Sequence, residues 1–192
     1  MTLHIVDSKK QAKEEEEADR LRVKVYVDGS GYKGQVRAVV VLYQDGEVRS
    51  RRRLRLGSMW HHTIYEGEVA GMILGLELIR EEWYMNGMIS MGVNSTSAIT
   101  AMHLIKPGVR YYLWDLFHQQ LQMVTDRHQD MDLLVWWMPG HIDIEGNEEA
   151  DKEAQAAAKH GSSPNQKLPS QLWKTLLHSK LAVWQAFHVK LK

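Results

Sequence analysis

Apolar positions change their period several times along the chain, and each change marks an element. Over residues 21–29, LRVKVYVDG, Val23, Val25 and Val27 alternate with Lys24, Tyr26 and Asp28. This two-residue period belongs to a strand whose faces meet different surroundings, and it delivers a carboxylate, Asp28, at the strand's C-terminal end. QVRAVVVLYQ (35–44) reads as a second strand, and the Asp45-Gly46 pair folds it back into a third, EVRSRRRLRLG (47–57). From residue 63 to 84 the period becomes helical, with Val69, Ile73, Leu76, Ile79 and Trp83 along one side. Gly67, Gly71 and Gly75 recur at every fourth position of that helix. Each costs roughly 1 kcal/mol against alanine in a helix interior, so the row predicts close contact with a sheet or another helix as compensation.

MISMGV (88–93) is a short strand. After it come Asn94 and a helix to about Ile105, stopped by Pro107-Gly108. A second amphipathic helix starts at Val109, MDLLVWWMPG (131–140) reads as a buried strand, and NEEADKEAQAAAKHG (147–161) as a helix closed by Gly161. The succession predicts an α/β fold with a five-stranded mixed sheet, an antiparallel meander on one side and parallel strands on the other, flanked by helices. This core occupies residues 21–161. Residues 1–20, with their KK and EEEE runs, read as a solvated helical lead-in capped by Asp7 or Ser8. Residues 162–192 comprise a linker and an amphipathic helix with Trp173, Leu177, Leu181, Trp184 and Phe187, a stripe too small to bury itself. It is expected to dock on the main domain or on a protein partner.

Composition narrows the chemistry. The 192 residues suit one domain with a sizeable core, and 44% are apolar. Without cysteine there are no disulfides or thiolate metal sites, which fits a cytoplasmic or nuclear location, and any metal must be held by oxygen or imidazole. No run approaches the roughly 20 apolar residues that span a bilayer, so no membrane partner is expected. Zero formal net charge argues against indiscriminate polyanion binding. Contact with nucleic acid would need a local patch, and the densest is RSRRRLRL, with Arg49, Arg51, Arg52, Arg53 and Arg55. On an edge strand these arginines either discourage edge pairing or meet phosphates.

Four junctions carry the candidate chemistry: VDGSG, YEGEVAG, GVNSTSAI and PGHIDIEGNEEADKEA. They place Asp28, Glu68 and Asp151 where carboxylates could converge, beside Asn94, which also suits a helix N-cap, as does Ser95. Glu66 competes with Glu68 but lies about 200° away around the helix, so one of the two faces the strand ends. These segments resemble ribonuclease H type 1 over about residues 22–160, in particular the ribonuclease H domains of fungal non-LTR retrotransposon polyproteins. The resemblance implies the ribonuclease H-like fold, an RNA/DNA hybrid as partner and substrate, and hydrolysis of the RNA strand to 3′-hydroxyl and 5′-phosphate ends with two Mg²⁺, for which Mn²⁺ substitutes. A reverse transcriptase polyprotein is a further implied partner.

By the same resemblance Asp28, Glu68, Asn94 and Asp151 hold the metal ions, Asp28 bridging both, Asp151 serving the ion that activates water and Glu68 the other. Hard oxygen donors suit Mg²⁺, and two such ions assist attack and departure of the phosphodiester oxygens. His141 matches the histidine of a mobile loop and would shuttle a proton or assist product release. Gly29, Ser30 and Gly31 would let the backbone approach the ribose edge, with Arg51, Arg53, Arg55 and Asn147 as further nucleic-acid contacts. Capping is a sufficient reason for Asn147 and Glu148. Asn94 stands where the family has aspartate, so three carboxylates face two dications. Losing several kcal/mol of transition-state stabilisation slows such a reaction roughly 10²–10⁴-fold. The implied enzyme is therefore impaired or silent, and Asn94 is either an engineered change or natural drift. The alternative is a catalytically inactive module retained for nucleic-acid or protein binding. Asp143 and the His61-His62 pair read as loop surface, and Trp60 and Tyr65 as packing beside the glutamate turn.

Overall fold

In the computed structural model, which describes residues 1–102, 112–140 and 144–190, the sheet has six strands, one more than the pattern predicts. The additional strand, β1 (Thr2–His4), pairs in parallel with β6 (Met131–Trp137) through Thr2–Leu134, Leu3–Val135 and His4–Trp136. Three residues are too few to show a period, so they merge with the charged lead-in when read as sequence. The helix that follows, α1 (Lys9–Ala18), is capped by Ser8, whose hydroxyl accepts from the Gln11 N–H. It also packs on the fold. Ala12 is buried, the Lys24 ammonium lies 2.9 Å from Glu16 and 3.1 Å from Asp19, and the Tyr26 hydroxyl donates to Glu16 at 2.6 Å.

The meander is β2 (Val23–Tyr32), β3 (Gln35–Gln44) and β4 (Glu47–Ser58). Its β3–β4 turn places Asp45 and Gly46 at positive φ, as the sequence requires. β5 (Gly87–Val93) runs parallel to both β2 and β6, giving the order β1-β6-β5-β2-β3-β4. One face is covered by α2 (Ile64–Glu81) with α4 (Tyr112–Arg127) against it, and the other by α1 and α5 (Glu145–His160). The short α3 (Thr96–Ala101) follows β5 and starts at Ser95, whose hydroxyl accepts from the Ala98 N–H. The expected helix stop at Pro107-Gly108 and the helix start at Val109 lie outside the described residues.

The glycine row of α2 brings that helix down onto the sheet. A Cβ at Gly71 would sit 2.5 Å from Val27 Cγ1, one at Gly75 2.8 Å from Met91 Cε, and one at Gly67 2.7 Å from the Arg37 carbonyl oxygen. The helix ends at Glu81, short of the expected boundary, so Trp83 lies beyond it and is 91% exposed rather than part of the buried stripe.

The C-terminal segment departs further from its pattern. Beyond short 3-10 turns at Asn165–Lys167 and Ser170–Leu172, α-helix forms over α6 (Lys180–Lys190), while Leu168, Leu172 and Leu176 enter the main core ahead of it. Before them, Ser163 N–H donates to Arg53 O (2.8 Å), and Arg53 N–H and Arg55 N–H donate to the Ser163 and Ser162 hydroxyls (3.0 and 2.9 Å) along the outer side of β4. Ahead of α6, the His178 ring stacks on His61 at 4.0 Å, and Ser179 N–H donates to His61 O at 2.7 Å.

Candidate active site

Parallel pairing stops at one level in β2, β5 and β6, although Asp28 lies inside β2, which continues to Tyr32 along β3, and not at the strand's end as its pattern predicts. Val27 of β2 lies beside Val93 of β5, and Val93 beside Trp137 of β6, so the next residues, Asp28 and Asn94, emerge side by side. The Asn94 side-chain amide donates from Nδ2 to Asp28 Oδ1 at 2.8 Å, while the Asn94 backbone carbonyl oxygen accepts from Trp137 Nε1–H at 3.2 Å. Open α/β sheets bind their ligands in this kind of crevice beyond the carboxyl ends of parallel strands.

Glu68 arrives from the opposite layer. Gly29 makes this possible, because a Cβ there would lie 2.2 Å from the Glu68 nitrogen and 2.6 Å from the Gly67 carbonyl carbon. With that methyl absent, the first turn of α2 rests on β2, and Glu68 accepts a hydrogen bond from the Gly29 N–H. Glu66 does not compete for the position. Its carboxylate accepts from Thr63 N–H at 2.6 Å and the Thr63 hydroxyl accepts from Glu66 N–H, a capping box that turns Glu66 back on the helix start.

Burial, and then the neighbouring Asp28 carboxylate, push the Glu68 carboxyl up to about 9. Two carboxylates this close in a dry site are poised for a cation. Glu68 Oε2 and Asn94 Oδ1 are buried and accept no hydrogen bond among the described residues, which leaves hard oxygen donors of the kind Mg²⁺ takes. The donor types suit one divalent ion, which Asp28, Glu68 and the Asn94 side-chain oxygen would hold. Among the described residues, no three or more His, Cys, Asp or Glu side chains are grouped to hold a metal. Asp151, half-buried on α5, therefore does not close a three-carboxylate cluster with Asp28 and Glu68.

The other described candidates lie on β2, β4 and α5. Gly29 is buried, Ser30 half-buried and Gly31 exposed, with Met59 and Ile64 against Gly31. Asn147 lies one turn before Asp151 and is buried, with neither amide atom hydrogen-bonded among the described residues; it does not cap α5, whose N-cap is Ile144. His141 and Asp143 lie outside the described residues. Arg51 pairs with Glu149 (2.7 Å) and Glu153 (3.4 Å), Arg53 with Glu153 (3.7 Å), and Arg55 donates to Gln35 Oε1. The first two thus clamp α5 to the sheet, helped by the buried Arg37, which donates to the Ala154 and Tyr32 carbonyls.

His62 departs from its sequence reading, while Tyr65 packs as that reading expects. His62 is buried instead of lying on a loop surface, because Gly57, at φ 138°, leaves room for its ring. Tyr65 is fixed by the Trp114 Nε1–H, which donates to its hydroxyl at 2.9 Å. The Gly57 signal was present in the sequence, while the Tyr65–Trp114 contact spans 49 positions and left none.

No protein-family model matches the chain, and no curated protein matches it in sequence. Solved structures do. The N-terminal RNase H domain of Rv2228c from Mycobacterium tuberculosis superposes with a TM-score of 0.52 at 16% identity, covering 69% of this chain and 95% of that one. RNase H1 from the halophilic archaeon Halobacterium salinarum gives 0.53 at 19% identity, covering 72% and 98%. LC11-RNase H1, solved in complex with an RNA/DNA hybrid, gives 0.52 at 17%, covering 69% and 99%. A mixed sheet in this order, its meander and parallel strands flanked by helices, with an acidic pair where the parallel pairing stops, is the ribonuclease H-like fold, and this chain has it.

Proposed function

We propose that the chain is a ribonuclease H-type domain that binds RNA/DNA hybrids and hydrolyses the RNA strand slowly, its centre weakened by Asn94. The observation that carries this is the meeting of Asp28, Glu68 and Asn94 where the β2–β5 pairing stops, with the Glu68 carboxyl pushed up by burial and by Asp28. The hybrid-bound state of one structural neighbour supports the choice of ligand. Asp28, Glu68 and Asn94 would hold one Mg²⁺ or Mn²⁺, and Asp151, which is not grouped with that pair in the metal-free chain, would have to approach Asp28 to hold a second. Such ions, when bound, would activate the attacking water and stabilise charge at the departing oxygen.

The chain's own groups do the rest. Glu68 and Asp28 exclude water through burial, and Glu68 must lose its proton for a cation to be held. Asn94 brings an oxygen without charge, its Oδ1, while its Nδ2 is bonded to Asp28. Gly29, Ser30 and Gly31 offer backbone at the rim, where a hybrid's minor groove presents 2′-hydroxyls. Arg55, exposed on β4, is the arginine of the patch best placed to add a phosphate contact, since Arg51 and Arg53 are engaged with α5. Asn147 contacts the nucleic acid, and His141 moves a proton or releases product. The absence of any long apolar helix among the described residues accords with action in the cytoplasm or nucleus.

The amide bond from Asn94 to Asp28 favours a second reading, hybrid binding without turnover. A labelled RNA annealed to DNA and incubated with Mg²⁺ or Mn²⁺ separates the two. Slow cutting that Asn94→Asp accelerates by about 10²-fold or more supports the enzyme. Binding without cutting by either protein supports the second reading. Neither cutting nor hybrid binding sinks both and leaves a protein-interaction module.

A further inference from the structure

Charge is divided unevenly along the chain. Residues 162–192 hold Lys167, Lys174, Lys180, Lys190 and Lys192 and no acid, while the first 161 residues hold the other 19 cations and all 24 acids, so a formal +5 faces a formal −5. The cationic segment also displays aromatic surface. Trp173 is 50% exposed, and Trp184 and Phe187 are each 60% exposed, beside the exposed Lys174 and Lys180. The Trp173 ring is held in place by its Nε1–H, which donates to Leu168 O at 2.8 Å. At about 100° per residue, Lys180 falls within about 40° of both Trp184 and Phe187 around α6.

A helix that lies on a membrane separates its cationic and apolar faces. Here lysine and aromatic rings share one side, the arrangement that holds a single strand by lysine on phosphates and rings against unstacked bases. The segment is also anchored in a telling place. Leu172 and Leu176 are in the core, and His178 and Ser179 are fixed to His61. His61 belongs to the turn whose Met59 packs against Gly31, three residues along β2 from Asp28, so α6 starts from a turn that rests on the same strand as Asp28.

We infer that residues 173–190 form a binding site for single-stranded nucleic acid, placed to hold a strand that runs past the Asp28–Glu68 rim. The site is independent of turnover, so its test is run in EDTA on the full chain, by fluorescence anisotropy of a labelled oligothymidylate. Binding should weaken linearly with the logarithm of salt concentration. Trp184→Ala should lower affinity about tenfold, and its combination with Phe187→Ala further. Lys174→Gln with Lys180→Gln should flatten the salt slope by about 1.4, with melting temperatures matching the unsubstituted chain. Absent binding, or equal affinity in all variants, would overturn the site. Binding to phosphatidylserine vesicles without binding to the oligonucleotide would overturn it in favour of a membrane surface. Retained oligonucleotide binding in a protein that never cuts hybrid overturns only the nuclease reading.

Discussion

Replacing Glu68 with glutamine should stabilise the metal-free protein, and by an amount that grows with pH. In the folded chain the carboxyl stays protonated up to about pH 9, whereas unfolded it ionises near 4.5. The folded state therefore binds more protons between those values, and stability present below pH 4.5 is lost as pH rises through the window, at about 1.4 kcal/mol per unit. Glutamine has no proton to lose and stays level. From about pH 5 to about pH 8 the glutamate protein should lose about 3–4 kcal/mol relative to Glu68→Gln, a large share of the roughly 5–15 kcal/mol that holds a domain together. Urea unfolding followed by circular dichroism at several pH values in EDTA measures this directly. Millimolar Mg²⁺ should then restore the glutamate protein and leave the glutamine protein nearly unmoved, because a dication favours the ionised pair. Parallel pH profiles in EDTA would refute the reasoning, since they would mean that Glu68 is neither dry nor close to Asp28.

Asn94→Asp removes the 2.8 Å amide bond to Asp28 and adds a negative charge; in EDTA it should cost about 1–3 kcal/mol in melting experiments, recovered on adding Mg²⁺. Gly29→Ala places a methyl 2.2 Å from backbone at Glu68 and should cost about 3 kcal/mol or more, a fall of roughly 6–12 °C in Tm, together with loss of metal-induced stabilisation. Thr63→Ala deletes the hydroxyl of the α2 capping box and should cost about 1 kcal/mol by urea titration, without the pH dependence expected at Glu68. Leu176→Ala should cost about 2–5 kcal/mol, because this side chain pins the C-terminal segment into the core.

The sheet from β2 to β6 was legible because its signals are local and repeated. The alternation around Val25 and the Asp45-Gly46 turn needed no tertiary knowledge, and the glycine row of α2 announced its own close packing. Asp28, Glu68 and Asn94 were legible because each sits at a junction where the period changes. Other features depend on partners distant in sequence. β1 is a strand only because β6 lies alongside it. Arg51 and Arg53 read as a free cationic patch, yet Glu149 and Glu153, about 100 residues on, take up much of their charge. The 172–179 stretch has helical periodicity, but Leu172 and Leu176 gain more from the core than a solvated helix would give them, so regular helix waits until Lys180.

The two flanks of the sheet bear on how the protein can be handled. A fragment trimmed to residues 21–161 would lack both β1, which lies along β6, and the serines at 162 and 163, which satisfy the outer backbone of β4. Each loss would uncover a row of peptide groups able to recruit a strand from a neighbouring molecule. The apolar β6, MDLLVWW, would be the worse exposure. Self-association is thus the expected fate of the minimal motif fragment, with the longer chain remaining dispersed.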